Sequence, residues 1–218
     1  SPNMEYDNTY IAEKLRRWEK YLREYRLPAW EAIPDFGLYM EQVMALLTGY
    51  LDYLPPELKE ERFITAAAIN NYVRNKFMPE PVKKKYYRVH IAYLIMICTL
   101  KQCLSIATMQ KMMPLGLTEE QVRATYTAYT VQHAAAAEYF TEQVRVIAAP
   151  LLDHEELWVG ISVTDTKDLI TVSAIVSGFS GLLAEKLLLL RGVSGPQTGS
   201  PPSPAAARTT AEQPEGNE

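Results

Sequence analysis

The chain has 218 residues and a net charge of −4 at pH 7, and 48% of its residues are hydrophobic. This hydrophobic fraction allows a buried core, and it excludes a chain that is disordered throughout. The net acidity excludes a protein whose whole surface is basic for binding nucleic acid.

Five helices are predicted in the first half of the chain, because hydrophobic residues recur there at three- and four-residue spacing between prolines and capping residues. Their predicted ranges are Tyr10–Tyr25, Leu38–Leu51, Thr65–Asn75, Arg88–Cys103 and Ser105–Met113. Thr65 and Ser105 are favourable N-cap residues. Between the third and fourth helices, the basic and aromatic segment Lys83–Tyr87 suits a short hairpin. We therefore expect a mainly α fold whose sheet content is at most a small wing.

A sixth helix is predicted from Thr118 to Ala148, since Thr118 and Gln121 form a capping-box pattern ahead of a hydrophobic stripe that is close to a heptad. At about 1.5 Å per residue, this helix would be roughly 45 Å long. Helices of such length usually pack against a partner or fold back. Both an intermolecular coiled coil and an intramolecular hairpin therefore remain open.

Two further segments follow towards the C-terminus. Leu169–Leu190 has the length of a membrane span, but its Ser, Thr and Gly residues and the pair Glu185–Lys186 favour a buried or partner-packed helix. Residues 192–218 are rich in Pro, Gly, Ser, Thr and Ala, which predicts a disordered tail.

The two cysteines, Cys98 and Cys103, are five residues apart in an apolar stretch, where a helix would point them in different directions. They indicate small core residues in a reducing compartment rather than a disulfide. The N-terminus is polar and charged and has no signal-peptide pattern, so we expect a cytoplasmic protein.

One window of the chain is strongly basic. Residues 59–101 contain nine Lys or Arg and three Glu, whereas the rest of the chain carries 13 basic and 23 acidic residues. An acidic protein with one basic window indicates a localised contact with a polyanion. The alternative is a chance cluster of charge on a solvated face.

Side chains suited to DNA lie in this window, on the helix predicted from Thr65 and on the loop after it. Asn can bind adenine through two hydrogen bonds, and Arg can bind guanine or phosphate. Loop lysines would neutralise phosphates, and each such contact would release about one counterion. The tyrosines could donate to phosphates, with packing as the alternative. The candidate DNA-binding residues are Thr65, Asn70, Asn71, Tyr72, Arg74, Lys76, Lys83, Lys84, Lys85, Tyr86 and Arg88.

Four strings in the same region carry a resemblance to a known kind of domain. They are INNYVR at 69–74, FMPEPVKKKYY at 77–87, HIAYLIMI at 90–97 and LKQCLSI at 100–106. Over Ala32–Met113 the chain resembles an uncharacterised bacterial domain family and is similar to the winged helix-turn-helix of the MerR-type regulators. This resemblance implies DNA contacts from Asn70, Asn71, Tyr72 and Arg74 and from the wing residues 83–86. MerR-type domains usually have glycine at the end of the recognition helix, where this sequence has Lys76.

Together with the helix periodicity and the composition of the tail, the resemblance predicts four parts of the chain. These are an N-terminal helix in residues 1–31, a MerR-like winged helix-turn-helix domain in 32–113, a helical dimerisation or effector region in 114–191, and the tail in 192–218. The long helix from Thr118 is similar in position to the dimerisation helix of MerR-type regulators. A small-molecule effector pocket or ordinary core are the two interpretations of the aromatic residues Tyr126, Tyr129, Tyr139, Phe140 and Trp158.

The expected function is a sequence-specific transcriptional regulator, a homodimer that binds double-stranded DNA with a recognition helix in the major groove and a basic wing on the phosphates. The alternative is a non-catalytic protein-interaction module with a winged-helix shape, which the net acidity favours. His90, His133 and His154 are scattered, and no metal-ligand spacing, phosphate loop or nucleophile motif is present. We therefore expect no enzymatic activity, no metal and no cofactor.

Overall fold

The computed structural model describes residues 6–52, 64–101 and 104–152, together with the single residues 166, 169 and 177. Across these ranges the chain is mainly helical, as predicted. Its helices are α1 (Asn8–Glu24), α2 (Met40–Tyr50), α3 (Ala66–Arg74), α4 (Arg88–Leu100), α5 (Ile106–Met112), α6 (Glu119–Ile147) and α7 (Ala149–Leu152). A single 3-10 turn, Trp30–Ala32, lies between the prolines that separate α1 from α2. Extended pairing takes the form of two isolated antiparallel bridges, Leu38–Tyr86 and Val82–Lys85.

Side-chain caps mark where four of the described helices begin: Asp7 caps α1, and the other three caps were predicted from the sequence. The Thr65 hydroxyl oxygen accepts a 3.1 Å hydrogen bond from the backbone N–H of Ala68 at the start of α3. Ser105 caps α5 in the same way. Thr118 and Gln121 form a reciprocal capping box at α6, with hydrogen bonds of 3.2 Å and 2.9 Å. Each cap contributes about 1 kcal/mol, and the three predicted helix starts are confirmed.

The centre of the larger hydrophobic core is α4. Every residue from Ile91 to Cys98 is buried, so this helix is covered on all sides rather than along one stripe. It contacts α2, α5 and α6. Burial of each large side chain contributes roughly 1.5–3 kcal/mol, which concentrates the stability of the fold at α4.

The same core extends from Leu27 to Tyr126 in the sequence. Leu27 and Trp30 precede the predicted domain start at residue 32, and Val122 and Tyr126 follow the predicted end at residue 113. The region expected to form a separate winged domain therefore shares its core with the first turns of α6.

The long helix α6 runs without interruption for 29 residues, which confirms the helix predicted from Thr118 to Ala148. It contacts α1, α4 and α7, and it does not fold back within its length. A second, smaller core joins Ala12 of α1 to Ile147, Ala148 and Leu169. Leu169 and Ser177 are the described residues of the segment 169–190, and the predicted tail lies outside the described residues. None of the helices in the described ranges has the length and hydropathy needed to cross a membrane.

Candidate nucleic-acid interface

Helix α3 has one buried and one exposed face. Ile69 is fully buried and Val73 is half-buried, whereas Asn70, Asn71 and Arg74 are exposed. The three-to-four-residue periodicity predicted this division, because residues one turn apart lie on the same side of a helix. Of the α3 side chains predicted to face DNA, Asn70, Asn71 and Arg74 therefore reach solvent, whereas Tyr72 is buried.

The end of α3 is closed by a lysine in the left-handed region. Lys76 has a φ of 59°. Its N–H donates to the Val73 carbonyl at 3.1 Å, and the N–H of Phe77 donates to the Tyr72 carbonyl at 2.8 Å. This pattern of two bonds usually has glycine at the left-handed position. The side-chain amide of Gln110 on α5 donates to the Lys76 carbonyl at 3.0 Å, which holds this end of α3 against α5.

Two more lysines form the tip of a tight turn, which we call the lysine turn (Val82–Lys85). Val82 and Lys85 exchange two backbone hydrogen bonds of 3.0 Å. Lys83 and Lys84 have φ values of 50° and 63°, and both side chains are exposed. Positive φ at both central positions is the type I′ arrangement, for which Asn-Gly is the favoured sequence. The predicted hairpin is therefore present as a minimal turn.

A second bridge attaches the lysine turn to the segment ahead of α2. Leu38 and Tyr86 exchange two backbone hydrogen bonds of 2.8 Å, and both side chains are buried. The stem of Lys85 covers Gly37 so closely that a Cβ atom there would lie 2.8 Å from Lys85 Cδ. The Lys85 ammonium lies 5.4 Å from the ring centroid of Tyr39. Lys85 is therefore half-buried and packed, unlike the two lysines at the tip.

His90, in the first turn of α4, closes the base of this loop. Its Nδ1 accepts a 2.8 Å hydrogen bond from the backbone N–H of Tyr87, and its Nε2 lies 2.7 Å from the carbonyl oxygen of Glu80. Since Nδ1 is the acceptor, the neutral ring carries its proton on Nε2 and donates it to Glu80. Burial lowers the pKa of His90, which favours this neutral form.

In the sequence, His90 is one of three scattered histidines. Its position carried a signal, because the third residue of a helix is where a side-chain acceptor can reach back to the N-cap N–H.

Several candidate contact residues have structural partners. Tyr72 and Tyr86 are buried, so their rings belong to the core, as the packing alternative predicts, and not to an exposed contact surface. The Thr65 hydroxyl is engaged in the cap of α3. The Asn75 amide donates to the side-chain oxygen of Asn71 at 2.8 Å.

Arg88 is held by the chain between α1 and α2. Its Nε donates to the Ile33 carbonyl at 2.8 Å, and its guanidinium carbon lies 5.6 Å from the ring centroid of Trp30. It lines an open cleft of about 640 Å³ that includes Thr118 and Arg123. Arg123 forms an ion pair with Glu31. We conclude that Arg88 attaches the start of α4 to the chain between α1 and α2. It does not extend the exposed basic surface.

The exposed members of the candidate set are Thr65, Asn70, Asn71, Arg74, Lys76, Lys83 and Lys84, of which Thr65 is engaged in the cap of α3. Lys76 and Lys83 are joined by seven backbone steps, so their Cα atoms are at most about 25 Å apart. The basic residues 59 and 62 lie outside the described residues.

Among the residues that the structure describes, the aromatic side chains predicted to line an effector pocket do not form one cavity wall. Tyr126 is fully buried and donates to the Pro28 carbonyl at 2.6 Å. Tyr139 and Phe140 are exposed, and they lie about 20 Å from Tyr126 along the axis of α6. Residue 158 lies outside the described residues. Tyr126 is therefore ordinary core.

The geometry defines a mainly helical domain with a small, exposed basic turn. A family model described as a domain of unknown function (DUF1836) matches residues 28–131, a range that nearly coincides with the larger core. A DUF1836 domain thus spans this part of the chain, and the expected resemblance to a domain family of unknown function is confirmed. The match provides no link to MerR-type regulators. No protein of curated function and no solved structure matches the chain.

Proposed function

We propose that the chain is a sequence-specific DNA-binding transcriptional regulator that presents α3 to the major groove and the lysine turn to the phosphate backbone. The proposal depends on one observation: lysine occupies three backbone positions that have left-handed φ values. Within the described ranges, the non-glycine residues with positive φ are Lys76, Lys83 and Lys84. All three side chains are exposed.

A left-handed conformation costs an ordinary L-residue about 1–2 kcal/mol, and glycine or asparagine would avoid most of that cost. Stability of the turn or of the helix end therefore does not explain lysine at these three positions. A requirement for positive charge does, since backbone strain that persists in a fold is typical of functional sites. Phosphate groups of a nucleic acid are the polyanion that such exposed lysines fit.

The polar face of α3 supports a role in reading bases. Asn70, Asn71 and Arg74 are exposed on one side of a nine-residue helix, which is about 13 Å long. An α-helix, about 10–12 Å in diameter with its side chains, fits a major groove that is about 12 Å wide. The lysine turn follows α3 and is paired with the chain ahead of α2, an order that supports a winged helix-turn-helix.

A homodimer is part of this proposal. An uncharged stripe on the exposed side of α6 consists of Ala124, Ala128, Val131, Ala135 and Tyr139. Val131 and Tyr139 are 62% and 67% exposed. The spacing of four, three, four and four residues keeps the stripe on one side of the helix, as in a coiled coil. A second copy of the chain would cover it, and such a dimer would present two α3 helices to two half-sites.

Duplexes selected from a random-sequence library by the full chain provide the test. Binding of the selected duplex should weaken with salt, and K83A/K84A should reduce the slope of log Kd against log salt by about two. N70A/R74A should lose the preference for the selected sequence over a scrambled duplex.

The matched control is R16A/K20A, which removes two exposed charges from α1 and should leave both the salt slope and the sequence preference unchanged. Equal slopes for K83A/K84A and the control would contradict the proposal.

The net charge of −4 favours a second candidate, a protein-interaction module that has no DNA target. In that case the selection would enrich no duplex, even at low salt. The exposed stripe of α6 would then be the surface to examine for a protein partner.

A further inference from the structure

The side of the lysine turn that faces away from the core carries an unusual row of side chains. Strand pairing places Tyr39 opposite Lys85, because Leu38 is opposite Tyr86 in the antiparallel bridge. Val82 pairs with Lys85 in the second bridge, so Lys85 lies between Tyr39 and Val82. Paired residues project to the same face, and neighbours along a strand project to opposite faces. Since Leu38 and Tyr86 are buried, Tyr39, Lys85 and Val82 form one row on the outward face.

This row exposes apolar surface beside the positive tip. Tyr39 is 56% exposed and Val82 is 54% exposed, with the Lys85 ammonium 5.4 Å from the Tyr39 ring centroid. Neither apolar side chain is needed to close the turn, which the backbone bonds of Val82 and Lys85 already hold.

We propose that the row Tyr39–Lys85–Val82 contacts the deoxyribose and base edges of duplex DNA next to the phosphates bound by Lys83 and Lys84. This inference rests on the proposed function and adds a contact surface to it. Ammonium groups fit phosphate oxygens, while apolar and aromatic side chains fit the sugar carbons and base edges between successive phosphates. Charged and apolar side chains alternate over a few residues of the lysine turn. Phosphate and sugar groups alternate in the same way along the DNA backbone.

Two variants of the full chain separate the row from the lysines. Y39A/V82S should weaken binding of the selected duplex by roughly tenfold at every salt concentration, because it removes an uncharged contact that buries apolar surface. Its slope of log Kd against log salt should equal that of the wild type. Y39F should bind like the wild type, since it keeps the ring.

Tyr10 provides a matched control. It is 54% exposed and lies beneath the ammonium of Lys14, at 5.1 Å from the ring centroid, on α1 and away from the lysine turn. Y10A should therefore leave both affinity and slope unchanged. A circular dichroism melt of each variant establishes that the fold is retained.

The outcomes distinguish this inference from the function on which it rests. If Y39A/V82S behaves like Y10A while K83A/K84A lowers the slope, the row is not a contact and the proposed function stands. If Y39A/V82S lowers the slope by about two, the row acts only by placing the lysines, and the inference is overturned. If the wild-type chain binds no duplex at any salt concentration, both proposals are overturned.

Discussion

The imidazole Nδ1 of His90 accepts a 2.8 Å hydrogen bond from the backbone N–H of Tyr87. The other ring nitrogen lies 2.7 Å from the carbonyl oxygen of Glu80. One side chain of the central helix therefore joins both ends of the loop that contains the lysine turn. Both bonds can form only with a neutral ring, because a protonated Nδ1 could no longer accept from Tyr87.

Acidification should therefore destabilise the protein through His90. Burial lowers the pKa of this ring below the ordinary value of 6.5, so the unfolded chain binds the proton more tightly than the folded chain. The stabilisation is complete above pH 6.5 and is lost as the pH falls through the lowered pKa. Urea denaturation at pH 7, 6 and 5 should show a falling free energy of unfolding.

The variant H90N isolates this effect, because its side-chain oxygen can still accept from Tyr87 but does not titrate. It should lose less stability than the wild type between pH 7 and pH 5. The pKa of His133 is also lowered by burial, so H133Q serves as the comparison for this second buried histidine. An equal loss of stability in wild type and H90N would show that the His90 bonds do not form in solution.

Replacing the two lysines at the tip of the turn should make the fold more stable. Asn-Gly is the favoured pair for the type I′ arrangement that Lys83 and Lys84 adopt. K83N/K84G should therefore raise the free energy of unfolding by about 1–2 kcal/mol, measured by urea denaturation. A K20G variant in α1 should instead lower it by about 1 kcal/mol, because glycine weakens a helix interior. If K83N/K84G is destabilising, the left-handed turn is not the solution conformation.

Local signals were sufficient to predict helices α1 to α6 and the caps that begin α3, α5 and α6. Thr65, Ser105 and Thr118 act on N–H groups three residues away, so their effect can be read from a short stretch of sequence. The spacing from Ile69 to Tyr72 is also local, and it could have placed the Tyr72 ring in the core. Faces of single helices are therefore accessible without a structure.

The geometry around the lysine turn could not be predicted in the same way. The bridge between Leu38 and Tyr86 joins residues 48 positions apart, and no periodicity encodes such a pairing. Left-handed backbone is usually recognised from Gly or Asn, so Lys76, Lys83 and Lys84 gave no sign of it. The outward row that includes Tyr39 depends on this pairing, so it could not be predicted from the sequence.

Gly37 should be more sensitive to substitution than Gly49. A Cβ atom at Gly37 would lie 2.8 Å from Lys85 Cδ and 3.0 Å from Tyr87 Cζ, whereas one at Gly49 meets nothing within 4 Å. G37A should lower the free energy of unfolding by about 1–3 kcal/mol, because the packed stem of Lys85 must move. G49A should raise it by up to about 1 kcal/mol, since Gly49 lies in α2. Thermal denaturation of both variants gives the comparison, and equal effects would contradict the close packing at Gly37.

The exposed stripe of α6 should determine the oligomeric state. A charge at Val131 would have to be buried in a coiled coil formed by two copies, at a cost that the small interface of Ala124, Ala128 and Ala135 could not offset. Sedimentation velocity should therefore show a concentration-dependent dimer for the wild type and a monomer for V131E at the same concentrations.

The matched control is A136E, because Ala136 is exposed on α6 about 100° away from Ala135 around the helix. A wild-type chain that is monomeric at every concentration, or a V131E dimer as stable as that of A136E, would remove α6 as the dimer contact. The DNA-binding proposal would then have to hold for a single copy of α3, which predicts a selected duplex with one recognition site rather than two sites related by symmetry.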